Sequence, residues 1–170
     1  MIFRLSQKLT AKIQPGPLAT VPLDANPFAD WSAHLFIAGR TQYILLSNTK
    51  SLYSTRMFGR GITDDRRFME RALSNIRDFM EDDGQGFVYQ RLIAPSTDQI
   101  RFAKALNRSV TGSMNDLIVH AIALLSDGER APCDVGTELN EVLLSSLGSG
   151  GAEKYGKPRD AFKAMGGNPP

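Results

Sequence analysis

Three short apolar runs follow one another between residues 31 and 58, in the stretch WSAHLFIAGRTQYILLSNTKSLYSTRMF. The runs cover residues 31–38, 41–47 and 51–58. Turn-forming residues separate them, Gly39-Arg40 at the first gap and Asn48-Thr49-Lys50 at the second. Short aromatic and β-branched runs with a few turn residues between them are typical of an antiparallel β-meander. We therefore predict three neighbouring strands joined by tight turns.

The middle run is apolar on both faces, because residues 43–46 read Tyr-Ile-Leu-Leu without a polar interruption. A strand with one face in water would alternate apolar and polar residues. The pattern indicates a central strand with other elements packed on each side of the sheet. An alternative is a strand covered on one face and dimerised on the other.

Two amphipathic helices are predicted after the meander. The first covers residues 64–83, with Thr63 as the expected N-cap and an apolar stripe formed by Phe68, Ala72, Ile76, Phe79 and Met80. The second covers residues 109–126, opens at Asn107-Arg108-Ser109 and stops at Asp127-Gly128. Its apolar arc consists of Val110, Met114, Leu117, Ile118, Ala121 and Leu125.

The remaining segments are weaker signals. We expect a first strand at residues 2–5, an extended proline-rich loop at 15–27, a strand at 87–93, either strand or helix at 99–106, and a shorter helix at 135–147. A glycine-rich link follows at residues 148–151, and Tyr155 and Phe162 are candidates for docking the tail. The fold class is thus α+β: an N-terminal antiparallel β-meander packed against two main amphipathic helices, with a short C-terminal helix. We expect a single domain over residues 1–163 and a frayed tail at 164–170.

The composition is that of an ordinary globular chain, with 42% hydrophobic and 22% charged residues in 170. A net charge of +2 gives no strong field, so nucleic-acid binding is only weakly supported. The single cysteine, Cys133, cannot form an internal disulfide, which favours a reducing compartment. The first residues lack the apolar core of a signal peptide, and no apolar run approaches the roughly 20 residues of a membrane span. We therefore expect a cytoplasmic protein that does not contact a membrane.

The polar border of the second helix holds the best candidates for chemistry. Asp116 and His120 are i, i+4 neighbours, and such a contact fixes a histidine tautomer and raises its pKa. Ser113 lies one turn before Asp116. Serine, aspartate and histidine are also ordinary residues on a solvated helix face, which is the better-supported interpretation. A catalytic triad is rejected, because its members normally come from separate elements.

His34 on the first strand of the meander is the other histidine. If its face of the strand met the second helix, His34 and His120 would converge with Asp30 or Asp116 and resemble a transition-metal ligand set. A separation of 86 residues between the histidines lacks the short fixed spacing of metal motifs. We therefore expect no metal and no cofactor, and favour a buried structural role for His34.

Three segments, ADWSAHLF at residues 29–36, LLSNTKSLYS at 45–54 and NRSVTGSMND at 107–116, resemble a family of uncharacterised bacterial proteins. Leu139-Asn140-Glu141 and Pro158-Arg159-Asp160-Ala161-Phe162 are similar to its C-terminal pattern. The resemblance implies one compact unit and no established activity. It also draws attention to polar residues of the motifs as candidates for binding: Asp30, Asn48, Arg108, Ser113 and Asn115.

Two functions from different classes follow. The first is a non-enzymatic binding or regulatory module that acts through a protein partner or self-association, with nucleic acid as the weaker alternative. The second is a small hydrolase or nuclease-like enzyme that uses His120, Asp116 and His34. A small-molecule sensor with a pocket between sheet and helices is a third hypothesis. In each case we expect the site between the second helix and the strand that bears His34.

Overall fold

The computed structural model describes residues 1–126, 132–148 and 154–167. Five strands form one sheet in the order β4-β3-β2-β1-β5. The strands are β1 (Ile2–Leu5), β2 (Asp30–Ala38), β3 (Thr41–Asn48), β4 (Ser54–Phe58) and β5 (Arg101–Lys104). The helices are α1 (Gln7–Ile13), α2 (Asp65–Asp82), α3 (Gly86–Val88), α4 (Arg108–Ser126), α5 (Pro132–Leu139) and α6 (Pro158–Gly166). The predicted α+β class is confirmed.

The predicted meander is the antiparallel half of this sheet. In register, Trp31 pairs with Asn48 and Ala38 with Thr41 between β2 and β3, and β4 continues the pattern on the far side of β3. The other two strands extend the sheet in parallel, because β1 pairs with both β2 and β5 in the same direction. The ambiguous segment at residues 99–106 therefore contains a strand. Helix α1, which the sequence analysis did not anticipate, makes the crossover from β1 towards β2.

Both faces of the central strand are covered within the chain, which confirms the first interpretation of its pattern. Ile44 and Leu46 belong to a core with α1, α2 and α6, whereas Tyr43 and Leu45 belong to a second core with α4 and α5. All four side chains are buried. Dimerisation is not needed to cover this strand.

Side-chain caps start both main helices. Asp64, and not Thr63, is the N-cap of α2: its carboxylate accepts from the Arg67 N–H at 2.9 Å, while the Thr63 hydroxyl donates to the same carboxylate. The aspartate is preferred because its charge also complements the positive end of the helix dipole. At α4, the Asn107 side chain accepts from the Val110 N–H at 2.9 Å. Met114, Leu117 and Ala121 of the predicted arc are fully buried.

The strand predicted at residues 87–93 is wrong. This segment is helical, running through α3, a π-turn at Tyr89–Ile93 and a 3-10 turn at Ala94–Ser96. Its aromatic and β-branched residues favour a strand by propensity, but packing decides the outcome. Tyr89 and Ile93, one helical turn apart, are buried against the first core, whereas Phe87 is 72% exposed.

The C-terminal part is anchored by aromatic packing. Phe162 on α6 is buried and stacks on Tyr53 with ring centroids 4.3 Å apart, whereas Tyr155 is 57% exposed. The helix expected at 135–147 divides into α5 and a 3-10 turn at Ser145–Leu147. Residues 164–166 of the expected frayed tail form the end of α6. The predicted stop at Asp127-Gly128, residues 149–151 of the link and residues 168–170 lie outside the described residues.

Among the described residues, no helix combines the length and hydropathy that crossing a bilayer requires.

Candidate functional site

Asp30, a predicted binding residue, forms a buried ion pair with Arg4. The Arg4 Nε and Nη2 atoms each lie 2.8 Å from a carboxylate oxygen of Asp30. The remaining guanidinium protons go to the carbonyls of Val21, Pro22 and Lys104, and the Asp24 N–H donates to Asp30. All five N–H groups of the Arg4 guanidinium are therefore used, and the Asp30 carboxylate accepts three hydrogen bonds. Asp30 fixes the proline-rich loop on β1, and it is completely buried, so we assign it a structural role.

Asn48 is also used structurally. Its side-chain oxygen accepts from the N–H groups of Lys50 and Ser51 and from the Ser51 hydroxyl, and its NH₂ donates to the carbonyls of Pro27 and Asp30. The residue is completely buried. These contacts shape the tight connection from β3 to β4.

Ser113 and Arg108 complete the predicted set on α4 together with Asn115. Ser113 is buried, and its hydroxyl donates to Ser146 at 2.6 Å, which ties α4 to the 3-10 turn. Arg108 is exposed at the start of the helix. Of the five predicted binding residues, Asn115 alone lines a cavity with His34.

That cavity, of about 1220 Å³, lies where β1 ends and is bordered by α1, β2 and α4. We call it the α1–β2–α4 cavity. The last residue of β1, Leu5, pairs with Ala33, so that β2 has no parallel neighbour from His34 onwards. The apolar part of the lining consists of Leu5, Ala11, Leu18, Leu35, Phe36, Ile37, Ala105, Ile118 and Ile122. The volume is large enough for a drug-sized molecule.

His34 is the buried polar group of this cavity. Its side chain is 7% exposed and makes no hydrogen bond to any described residue. Burial lowers the pKa of the imidazole from 6.5 to about 4, so that the ring is neutral at physiological pH. A neutral imidazole has one donor and one acceptor. Both are available to a molecule in the cavity.

Asp116 and His120 do not share this cavity. Both are exposed on α4, and the cavity is lined by Thr111, Asn115 and the isoleucines of the same helix. At 3.6 residues per turn, Asp116 and His120 lie roughly 150° around the helix from that row. The structure therefore does not bring the two histidines into one pocket. Within the described residues, no group of three or more His, Cys, Asp or Glu side chains is arranged to hold a metal ion.

A second, smaller cavity of about 640 Å³ lies between β4, α2 and α5. Its acidic side chains include Asp83, which accepts from the Tyr53 hydroxyl at 2.6 Å and is paired with Arg159. Arg159 also binds Glu141 at 2.8 Å. These contacts hold α6 against α2, so we assign them a structural role. Burial, followed by the Asp83 hydrogen bond, raises the pKa of Tyr53.

The lining contributed by α1, and most of that contributed by α4, was not predicted from the sequence. Thr111, Asn115, Ile118 and Ile122 recur at i, i+4, i+7 and i+11, which is a helical row beside the apolar arc. This periodicity was a usable signal. Lys8 and Lys104 carried no such signal, because α1 was not predicted and β5 was ambiguous.

Fold and cavity together define an α+β protein with a mixed sheet and a solvent-open pocket at a strand end. The chain belongs to the family described as Domain of unknown function (DUF6933), whose model matches residues 2–161. Comparisons with curated proteins and with solved structures found no match.

Proposed function

We propose that this protein is a cytoplasmic, non-enzymatic binding module that takes a small, largely apolar molecule into the α1–β2–α4 cavity. The observation that carries the proposal is His34, whose side chain lines the cavity and makes no hydrogen bond to a described residue. A neutral imidazole offers one donor and one acceptor to whatever fills the cavity. A bound molecule with a polar group can be oriented by these two ring nitrogens.

The cavity has the composition of a ligand site. Apolar side chains of β2, α4 and the loop after α1 form most of its wall, and a few polar groups interrupt them. Binding pockets combine an apolar lining with a small number of polar groups that orient the ligand. His34 and Asn115 are suited to that orienting role.

Self-association and nucleic-acid binding, the other partner classes, gain less support from the structure. The apolar central strand no longer argues for self-association, because both of its faces are covered. The arginines near the start of α2 are compensated: Arg66 pairs with Glu70 at 3.1 Å, and Arg67 lies 3.7 Å from Asp64. This arrangement dilutes the field that nucleic acid would need.

The test is a fluorescence titration with N-phenyl-1-naphthylamine, a neutral apolar probe. We expect saturable binding of one probe per chain in the micromolar range. The variant Asn115→Tyr places a bulky side chain at the cavity and weakens binding at least fivefold. Asp116→Tyr, its neighbour on the other flank of α4, is the matched control and retains the wild-type affinity.

Absence of saturable binding by the folded wild-type protein would overturn the proposal. Equal losses in the two tyrosine variants would also overturn it, since they would place the probe elsewhere. Far-UV circular dichroism of each variant establishes that the fold is intact, because partly unfolded chains also bind apolar dyes.

A further inference from the structure

The charges around the α1–β2–α4 cavity are of one sign. Lys8 on α1 and Lys104 at the end of β5 both line it and are exposed. Neither lysine forms an ion pair with a described residue, and no carboxylate is part of the described lining. By contrast, Lys157 on the described surface is paired with Glu141 at 2.8 Å. The mouth of the cavity is thus a local positive region on a chain of nearly balanced charge.

The open side of β2 adds uncharged donors to the same region. The Ser6 N–H donates to the carbonyl of Ala33 at 3.0 Å, which is the last bond on this side of the strand. Backbone groups of a strand alternate in direction by residue, so Leu35 and Ile37 direct both their N–H and their C=O groups to this side, and the N–H groups are the donors available to an anion. Both residues line the cavity. Backbone amides beside lysines form a favourable environment for an anionic group.

The apolar part of the lining limits where a charge can lie in the cavity. An ionised group carries a high desolvation cost in an apolar interior unless it is paired. His34 is neutral and does not compensate a buried carboxylate. A charged group therefore belongs at the mouth, beside the exposed lysines, and an uncharged apolar part belongs against Phe36, Ile118 and Ile122.

We infer that the ligand is an organic anion with an apolar body, whose acidic group lies between Lys8 and Lys104 while its body fills the α1–β2–α4 cavity. The inference rests on the proposed binding function and specifies its ligand class. Organic carboxylates and sulfonates share this chemistry.

Two probes with the same ring system test it. N-phenyl-1-naphthylamine is neutral, and 8-anilinonaphthalene-1-sulfonate adds one anionic group to the same skeleton. At low ionic strength the anion binds about tenfold more tightly, the order of gain that two exposed charge contacts provide. Added salt reduces this advantage, because the screening length shortens.

The variants locate the effect. In the double variant Lys8→Gln/Lys104→Gln, the dissociation constant of the neutral probe divided by that of the anionic probe falls to about one. The control variant Lys50→Gln changes an exposed lysine at the β3–β4 turn and leaves the ratio at the wild-type value.

A neutral probe that binds as well as the anion to the wild-type protein would overturn this inference and leave the proposed function standing. An anion advantage that survives in the double variant would also overturn it. If neither probe saturates the folded protein, the proposed function fails and the inference fails with it.

Discussion

Asp30 and His34 project from the same face of β2, four residues apart, and both are buried. Asp30 accepts three hydrogen bonds, two from Arg4 and one from the Asp24 backbone. His34 has no hydrogen-bonding partner among the described residues. The difference arises because β1 accompanies β2 only as far as Ala33. Polar groups beside β1 hold the fold together, whereas the first polar group beyond its end faces a cavity.

The largest effect is expected from Asp30→Asn, which removes the charge that compensates the buried Arg4. Breaking one side of a buried ion pair costs about 3–5 kcal/mol. Urea denaturation measures the loss in the free energy of unfolding. Asp116→Asn, at an exposed position of α4, is the matched control and should change stability by less than about 0.5 kcal/mol. A similar, small change in both variants would show that the ion pair is not structural.

His34→Phe should alter the pH dependence of stability. Since burial lowers the pKa of His34 from 6.5 to about 4, the unfolded chain takes up a proton between these values and the folded chain does not. Stability is therefore lost as the pH falls from about 6.5 to about 4. The wild-type protein should lose about 3 kcal/mol more than His34→Phe between pH 7 and pH 4. Parallel stability curves for the two proteins would contradict the burial of an unpaired imidazole.

Asn48 and Asn115 offer a second comparison, between two asparagines of the sequence motifs. Asn48→Ala leaves several buried groups without a partner and should cost about 2–3 kcal/mol in denaturant unfolding. Asn115 is exposed at the cavity, so Asn115→Ala should leave stability within about 0.5 kcal/mol of wild type. A large loss of stability in Asn115→Ala would assign it a structural role.

The smallest expected effects are on the affinity for the probe, and they distinguish the side of α4 that lines the cavity from its opposite side. Asn115→Ala should weaken binding of N-phenyl-1-naphthylamine about threefold, the range of one lost polar contact. The double variant Asp116→Asn/His120→Gln should bind the probe as the wild-type protein does, because neither residue lines the cavity. Fluorescence titration measures both affinities. A loss in the double variant alone would move the site to the opposite flank of the helix.

The meander, the two main helices and the two-sided core were predictable from residues 31–58 and from helical periodicity, because these are local patterns. The pairing partners of short strands could not be predicted from the sequence. For example, β1 and β5 pair in parallel although about 100 residues separate them. The segment at 87–93 has strand-like composition, and its helical form follows from how Tyr89 and Ile93 pack.

The expected site stays a prediction, but the cavity that we propose as the site can be compared with it. The expectation of a site between the second helix and the strand of His34 matches the place of the cavity. Asp30, Asn48 and Ser113 were singled out as polar residues in motifs, and a single sequence does not distinguish a polar residue that holds the fold from one that binds a ligand. That distinction depends on hydrogen-bond partners far away in the chain, such as Arg4 for Asp30.

The most direct test of the account uses the two histidines as separate reporters. In a tag-free protein, the imidazole nitrogens of His34 and His120 give two sets of signals in a long-range ¹H–¹⁵N spectrum recorded during titration with 8-anilinonaphthalene-1-sulfonate. We expect the His34 signals to shift with saturation of the probe and the His120 signals to remain in place. Saturation that leaves the His34 signals unchanged, or that moves only those of His120, would contradict the assignment of the α1–β2–α4 cavity as the binding site.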